Sequence, residues 1–204
     1  MKKYICVILF TAHFCYSQTV TLPHQSFGKG VTVLYIGSGA LSRHFDTYKF
    51  KQETTNYKRL PFISIGVDRC IYPYASNAYW GLGPYLSSWV ANREYVDAQN
   101  SRKENVWSNS LIAIRATHHN SFFVRKNLDM CSGILVGVRI KYYHSKTVNG
   151  KDITPVSDRS TILPAFGITA TIRYYFYKDF GVYFEGCLGY KTNLASIGLI
   201  YKIY

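Results

Sequence analysis

Eight long segments of the chain alternate apolar and polar residues with a period of two, and each has about 11–16 residues. Such alternation is typical of β-strands whose two faces meet different surroundings. Strands of soluble domains usually have about 5–6 residues, whereas a tilted strand that crosses a bilayer needs about 9–11. The strand length therefore favours a membrane β-barrel. The predicted strands are 30–41, 60–71, 78–90, 106–118, 129–144, 162–176, 180–190 and 193–204.

The charges within these strands lie on one face. In the fifth predicted strand, Ile134, Val136 and Val138 share a face, while Arg139 and Lys141 lie on the opposite one. A membrane barrel is apolar outside and polar inside, and a soluble barrel shows the reverse. We therefore predict an all-β fold, an eight-stranded antiparallel up-and-down transmembrane β-barrel. The charges predicted to line its lumen are Asp68, Arg115, Arg139, Lys141, Arg173, Glu185 and Lys202.

Composition excludes two other classes of protein. Aromatic residues make up 17% of the 204 residues, which is too many for a disordered chain. No stretch of about 18 apolar residues lies beyond the N-terminus, which argues against a helical membrane protein. A secreted soluble eight-stranded barrel that binds an apolar ligand remains as the alternative.

The N-terminus shows the three-part pattern of a secretory signal. Met1-Lys2-Lys3 is basic, residues 4–14 are mostly apolar, and Cys15-Tyr16-Ser17 resembles a cleavage site. We expect cleavage after Ser17. The predicted organisation is a signal peptide over residues 1–17, an N-terminal periplasmic segment over 18–29, and an outer-membrane barrel domain over 30–204.

The connections between the predicted strands mostly alternate between long and short. Outer-membrane barrels have short periplasmic turns and longer extracellular loops. With both termini in the periplasm, the polar loops 42–59, 91–105 and 145–161 face outward, and Tyr177-Lys178-Asp179 forms a periplasmic turn. The last link, Lys191-Thr192, is an exception because it faces outward and is short.

Three stretches resemble the small outer-membrane β-barrel proteins common in Bacteroidota. They are Asp129 to Gly137, Arg173 to Gly186, and Ile197 to Lys202. The resemblance implies an OmpA-like eight-stranded barrel and says little about function. One departure is the C-terminus, where Ile203 holds the lipid-facing phase and the final aromatic residue, Tyr204, lies one position beyond it.

Neither a metal site nor a cofactor site is predicted. Cys70, Cys131 and Cys187 remain after signal cleavage, an odd number without a Cys-x-x-Cys motif, so we interpret them as small apolar fillers. His118-His119 lies at the end of the fourth predicted strand, and we expect these histidines to be solvated turn residues without a metal ion.

Catalysis is not expected either. An enzyme that modifies lipid A is the weakest alternative. The His118-His119 pair is about 25 Å along the strand from Ser108 and Ser110, too far for them to act together.

An eight-stranded barrel has an interior that side chains fill, so we expect no open pore. We expect the lumen charges to neutralise one another, with Glu185 paired to Arg173 because their strands are adjacent.

The excess of basic residues suggests the partners. Lys and Arg number 24 against 11 Asp and Glu, for a net charge of +13, and loop 42–59 alone has +3. Outer-membrane lipid and lipopolysaccharide are the expected partners, together with the secretion and barrel-assembly machinery. Nucleic acid is not expected, a surface partner cannot be named from the sequence, and the expected state is a monomer. The predicted role is structural or surface-interacting, in the cell outer membrane, with the three long loops as the contact surface.

Overall fold

The computed structural model describes most of the region predicted to form the barrel. The predicted signal peptide, the larger part of segment 18–29, and residues 42–53 of the first predicted loop lie outside the described residues. The described ranges are 27–28, 30–39, 54–75, 78–96, 100–120, 127–149 and 152–204.

Nine β-strand segments make up this part of the chain, and all their pairings are antiparallel. No helix in the described ranges is long and apolar enough to cross a membrane. The segments are β1 (Thr32–Gly39), β2 (Thr54–Arg59), β3 (Phe62–Ala75), β4 (Ala78–Val96), β5 (Arg102–Asn120), β6 (Leu128–Asn149), β7 (Asp152–Tyr175), β8 (Phe180–Tyr190) and β9 (Ala195–Ile203).

The nine segments form the eight strands of a closed barrel. Both β2 and β3 pair with β4, so together they are one barrel strand, interrupted at Leu60-Pro61, where the proline has no N–H to donate to the neighbouring strand. From β3 to β9 each strand pairs with the next, and the ring closes where β1 pairs with β9, from Thr32 opposite Ile203 to Ser38 opposite Ile197. The predicted eight-stranded antiparallel up-and-down barrel is confirmed.

The two faces of the strands differ as the alternation predicts. On β6, Ile134 and Val136 are each 59% exposed while Arg139 is 1% exposed. On β7, Ile168 is 61% exposed while Arg173 is 1% exposed. A closed antiparallel barrel with an apolar exterior and a charged interior is the construction of outer-membrane barrels, because lipid solvates the outer side chains and closure pairs every strand edge. The outer-membrane location follows from this construction.

Two of the three predicted loops are largely strand, which corrects their expected structure. In range 91–105, β4 continues to Val96 and β5 begins at Arg102, and in range 145–161 only residues 150–151 lie between β6 and β7. The end of loop 42–59 is β2. Polar residues occur on both faces of these stretches, so they lack the regular alternation that predicts a strand, although their backbones pair in register.

We call this part of the barrel wall the extended sheet. It consists of residues 54–59, 91–96, 102–107, 143–149 and 152–159. On either side of the extended sheet the strands end earlier. β8 ends at Tyr190, which pairs with Phe166, and β1 ends at Gly39, which pairs with Phe62. The barrel mouth on this side is therefore oblique.

Candidate functional site

The inward faces of four strands bring charged side chains together in the lumen. Asp68 on β3, Arg115 on β5, Arg173 on β7 and Glu185 on β8 are each no more than 3% exposed. All four have the inward phase of their strands. We call these residues, with His119 and Asp129, the lumen network.

The expected pairing of Glu185 with Arg173 is not found. Glu185 contacts Arg115 and accepts a hydrogen bond from Thr171, its register partner on β7, at 3.0 Å. Arg173 has Tyr183 as its register partner on β8, and its guanidinium contacts carboxylates on other strands. It donates to Asp68 across the lumen at 2.5 Å and to Asp129 on the neighbouring β6 at 3.2 Å.

Asp68 is the centre of the lumen network. Besides Arg173, its carboxylate accepts a hydrogen bond from Thr117 at 2.8 Å and lies 3.2 Å from the Nε2 atom of His119. The guanidinium of Arg115 is 3.8 Å away. One carboxylate therefore joins β3, β5 and β7, strands that are not all neighbours in the ring.

His119 is not the solvated turn residue that the sequence suggested, because it is 2% exposed and faces the lumen. Its Nδ1 atom lies 3.0 Å from Asp129, and its Nε2 atom lies 3.0 Å from the hydroxyl of Thr117 and 3.2 Å from Asp68. The hydroxyl of Thr117 donates its hydrogen to Asp68, so it does not donate to the Nε2 atom of His119. Ionised carboxylates only accept, and therefore both ring nitrogens must donate. This arrangement requires the imidazolium form.

The imidazolium completes a balance of charge. Asp68, Asp129 and Glu185 supply three negative charges, and Arg115 and Arg173 supply two positive ones. His119 supplies the third. Sequence reasoning missed both His119 and Asp129, although carrying the inward phase of Arg115 to positions 117 and 119 would have found the histidine.

A threonine, a histidine and an aspartate thus stand in the order of a catalytic triad, but without access to a substrate. Thr117 is fully buried, and its hydrogen is committed to Asp68. The ring of Phe27 stacks on His119, with 3.6 Å between centroids and 9° between planes. Phe27, which precedes β1 in the chain, thereby covers the imidazole of His119 at the end of β5.

Three potential metal ligands, Asp68, His119 and Cys131, have ligand atoms within 4.8 Å of one another, and all three residues are buried. The guanidinium of Arg173 already contacts Asp68 and Asp129, and both nitrogens of His119 donate. A cation would have to replace these positive groups. The chemistry of the group therefore fits an internal ion-pair network better than a metal centre. Cys70, Cys131 and Cys187 are all buried thiols.

Lys202, at the same end of the barrel as Phe27, is 5% exposed, and its ammonium lies 3.9 Å from the centroid of Tyr175. Tyr35 fills the middle of the lumen, with the guanidinium of Arg115 at 4.3 Å over its ring. Its partner on β3 is Gly66, where a Cβ atom would collide with the Tyr35 ring. At the base of the extended sheet, Phe62 and Trp89 form a buried apolar cluster with Ala91 of that sheet, and Trp107 of the same sheet packs against it.

Arg139 and Lys141 lie apart from the lumen network. Arg139 is 1% exposed, and its Nη2 atom donates to Asn193 at 3.0 Å. Its Nε and Nη1 atoms have no hydrogen-bond acceptor among the described residues. Lys141 is half-buried two positions further along the same face. Of the predicted lumen charges, Asp68, Arg115, Arg173 and Glu185 therefore belong to the lumen network, while Arg139, Lys141 and Lys202 lie outside it.

No family model and no curated protein matches this chain. Among solved structures, it is similar to Ail, the attachment invasion locus protein of Yersinia pestis, at 9% identity and a TM-score of 0.49, covering 86% of this chain and 100% of that chain. A structure of Ail in complex with the heparin analogue sucrose octasulfate has 10% identity and a TM-score of 0.47, with the same coverage.

The N-terminal β-barrel domain of Pseudomonas aeruginosa OprF has 13% identity and a TM-score of 0.36, covering 85% of this chain and 96% of that chain. Likenesses at these identities and scores carry no functional conclusion. The assignment to the OmpA-like, small outer-membrane type of barrel follows from the strand pairing and the two faces described above.

Proposed function

We propose that the protein is a non-catalytic outer-membrane barrel whose extended sheet contacts partners at the cell surface. The observation that carries the proposal is the extended sheet itself, which continues five strands beyond the lower wall formed by β8, β9 and β1. Polar strands are costly in hydrocarbon, so this sheet belongs in water.

The side chains of the extended sheet support a rigid polar surface. Glu104 on β5 accepts a hydrogen bond from Asn92 at 2.8 Å and pairs with Lys146 at 2.9 Å. Across the β6–β7 pair, His144 and Asp158 lie 2.5 Å apart. The Glu104–Lys146 pair joins the neighbouring strands β5 and β6, and cross-strand pairs of opposite charge stabilise a sheet.

The free edge of the extended sheet, which β7 forms, favours contact through side chains rather than the addition of a strand from another chain. Residues 152–165 of β7 lie beyond the register with β8. This edge contains Pro155 and Pro164, and Asp158 and Arg159 lie between them. Prolines and charges on an edge strand discourage pairing with another chain.

Side chains fill the lumen, which supports a role other than that of a channel through which solutes diffuse. Phe27 covers one end, Tyr35 and the lumen network fill the middle, and the cluster of Phe62, Trp89 and Ala91 narrows the other end. The burial of Thr117 beneath this packing likewise supports a non-catalytic role. A soluble barrel is disfavoured by the exposed apolar exterior, which would face water.

We further propose lipopolysaccharide and outer-membrane lipid as partners of the basic chain, the secretion and barrel-assembly machinery as its route, and a monomeric state. The net charge of +13 supports the first. We also propose that the protein is related to the small barrels of Bacteroidota, which the stretch from Asp129 to Gly137 supports. A cleaved signal peptide over residues 1–17 is a separate proposal, supported by the basic Met1-Lys2-Lys3 and the apolar run that follows it.

Site-specific photo-crosslinking in intact cells tests the proposed surface role. A photoreactive residue replaces Arg159, which is exposed on the extended sheet, and the matched control replaces Ile168 on the lipid-facing side of the same strand. We expect discrete protein or glycan adducts at position 159 and only lipid adducts at 168. Identical adduct patterns at the two positions would contradict a contact role for the extended sheet.

A further inference from the structure

The chain turns back on itself just before β1. The N–H of Val31 donates to the carbonyl of Gly28 at 3.0 Å, which closes a β-turn. Gly30, at the third position of this turn, has a φ of 86°, a value that type II turns require there and that glycine adopts readily. The carbonyl of Val31 accepts a hydrogen bond from the N–H of Cys70 on β3 at 3.1 Å, which fixes the turn to the barrel wall.

The side chain that precedes this turn, Phe27, occupies the end of the lumen opposite the extended sheet. It is 3% exposed, and its ring stacks on the imidazole of His119. The guanidinium carbon of Arg173 lies 5.9 Å from the centroid of the same ring. An aromatic face attracts nearby cations, so both positive groups favour this position of Phe27. We call the following residues the N-terminal plug: Phe27, Gly28, Gly30 and Val31.

The thiol of Cys131 lies beside the imidazole that the plug covers. Cys131 is the register partner of His119 on β6, and it is 6% exposed. Its sulfur lies within 4.8 Å of a ring nitrogen of that histidine. Because a thiol reacts only where a reagent can reach it, the reactivity of Cys131 reports on access to this end of the lumen.

The backbone of the plug is tied to the barrel less extensively than the strands are tied to one another. Among the described residues, one backbone hydrogen bond joins it to the wall, the bond from Cys70, whereas β1 and β3 face each other over eight residue pairs. Segments with few backbone hydrogen bonds open at a lower free energy than the whole fold. Opening would also return water to the charges of the lumen network, which recovers part of the cost of burying them.

The opposite end of the lumen has a separate closure. Phe62 is fully buried there and packs with Trp89 and Ala91. Between the two ends, Tyr35 fills the lumen beneath the guanidinium of Arg115. Loss of the plug alone would therefore give a pocket that is open at one end, not a continuous channel.

We propose that the N-terminal plug is a lid, which opens and closes the lumen at the end opposite the extended sheet without unfolding of the barrel. Its closed state covers His119 with the ring of Phe27. Its open state presents the charged groups of the lumen network to the aqueous phase on that side of the membrane. The proposal does not depend on any contact made by the extended sheet.

The reaction of Cys131 with methyl methanethiosulfonate, a small neutral thiol reagent, measures the opening of this lid. The full chain is refolded in detergent micelles, and peptide mass spectrometry gives the labelling rate of each cysteine. Cys187, which lines the cavity beside Asn193, is the internal reference. F27A removes the ring. G30V keeps the ring but strains the turn, because a β-branched residue rarely adopts a positive φ, although a Cβ there would meet no atom within 4 Å.

We expect F27A and G30V each to raise the labelling rate of Cys131 about tenfold or more and to leave that of Cys187 unchanged, because only one end of the lumen opens. F62A is the matched control, since it makes the same truncation at the other end and should leave the Cys131 rate unchanged. An unchanged Cys131 rate in both plug variants, an equal rise at both cysteines, or an equal rise in F62A would overturn the proposal. G30V retains every side chain of the lumen, so the test stands even if F27A folds poorly.

Two further measurements sharpen this result. Local opening exposes little surface, so the wild-type labelling rate of Cys131 should hardly change with urea below the unfolding transition. A rate that rises as steeply as global unfolding would contradict a lid. In planar lipid bilayers F27A should give no stepwise current, because the cluster around Phe62 still closes the far end. Stepwise current from F27A would show a continuous channel and would overturn the one-ended pocket.

Discussion

The protonated His119 is the least expected feature of the lumen. Its two ring nitrogens and the two carboxylates they face lie within 3.2 Å, so the neutral ring would leave one contact without a hydrogen. Replacing it with asparagine leaves Asp68 and Asp129 with one positive partner fewer. Breaking a buried ion pair typically costs about 3–5 kcal/mol.

We therefore expect His119→Asn to lower the free energy of unfolding by about that amount, less where water reaches the lumen. The measurement is urea unfolding of the refolded barrel in micelles. His118→Asn is the matched control, since His118 lies on the outer face against Trp80 and should change stability by less than about 1 kcal/mol. Similar losses in both variants would contradict the role assigned to His119.

The ion pair that Glu185 forms with Arg115 gives a second test. In a double-mutant cycle, Glu185→Gln and Arg115→Gln should be clearly non-additive, with a coupling energy of about 1–3 kcal/mol, because the two side chains touch. The cycle of Glu185→Gln with Arg173→Gln should give a much smaller coupling. A larger coupling to Arg173 would restore the pairing that strand adjacency suggested.

The sequence identifies which side chains enter the lumen but not which of them pair. Inward phase follows from alternation along one strand, as for Arg139 and Arg173. Asp68 and Arg173 lie on strands that are separated in the ring by β1, β9 and β8. Such a contact depends on the barrel width and on the direction in which a long side chain turns, and neither is encoded locally.

Strand β7 offers a direct test of where the bilayer ends. Ile168 and Ser160 both lie on its exposed outer face, and they are about 26 Å apart along the strand. Ile168→Arg should cost about 2–4 kcal/mol of folding free energy in lipid vesicles if it lies near the midplane, whereas Ser160→Arg should cost about 0–1. Equal costs would show that the apolar band does not end between them.

The pairing of Glu104 with Lys146 makes the extended sheet sensitive to acid. The hydrogen bond from Lys146 lowers the pKa of the Glu104 carboxyl. A lowered pKa in the folded state means that the contribution to stability is complete above the ordinary glutamate pKa of about 4.3. It is lost as the pH falls through the lower, folded-state pKa.

We expect amide hydrogen exchange to show weaker protection of residues 102–107 and 143–147 below about pH 4, with a loss of less than about 1 kcal/mol. Protection factors corrected for the intrinsic exchange rate are the measurement. In Glu104→Gln this pH dependence should disappear. A variant that keeps the full dependence would assign the effect to another group.

The existence of the strands was predictable, and the length of several was not. β8 and β9 nearly match the predicted 180–190 and 193–204, because their alternation runs from end to end. Between Glu94 and Lys103 the chain is polar on both faces, which in isolation is also typical of a loop. Only pairing with a neighbour, which a single sequence does not show, distinguishes strand from loop there.

The molecule as a whole is a closed barrel, filled along its lumen and prolonged on one side by a polar sheet. The two ends differ: turn 176–179 lies opposite the extended sheet. If the barrel spans an outer membrane with the extended sheet outward, an aqueous reagent must reach three positions to different extents. They are Arg102 on the sheet, Ile168 on the lipid-facing wall and Lys178 in the turn.

Cysteine labelling with a membrane-impermeant maleimide measures this directly, with the wild type, whose described thiols are buried, as the background. We predict that Arg102→Cys is labelled in intact cells, Lys178→Cys only after the outer membrane is permeabilised, and Ile168→Cys only after the membrane is dissolved in denaturing detergent. Labelling of Lys178→Cys but not Arg102→Cys in intact cells would reverse the orientation. Labelling of Ile168→Cys in intact cells would contradict the membrane-spanning barrel.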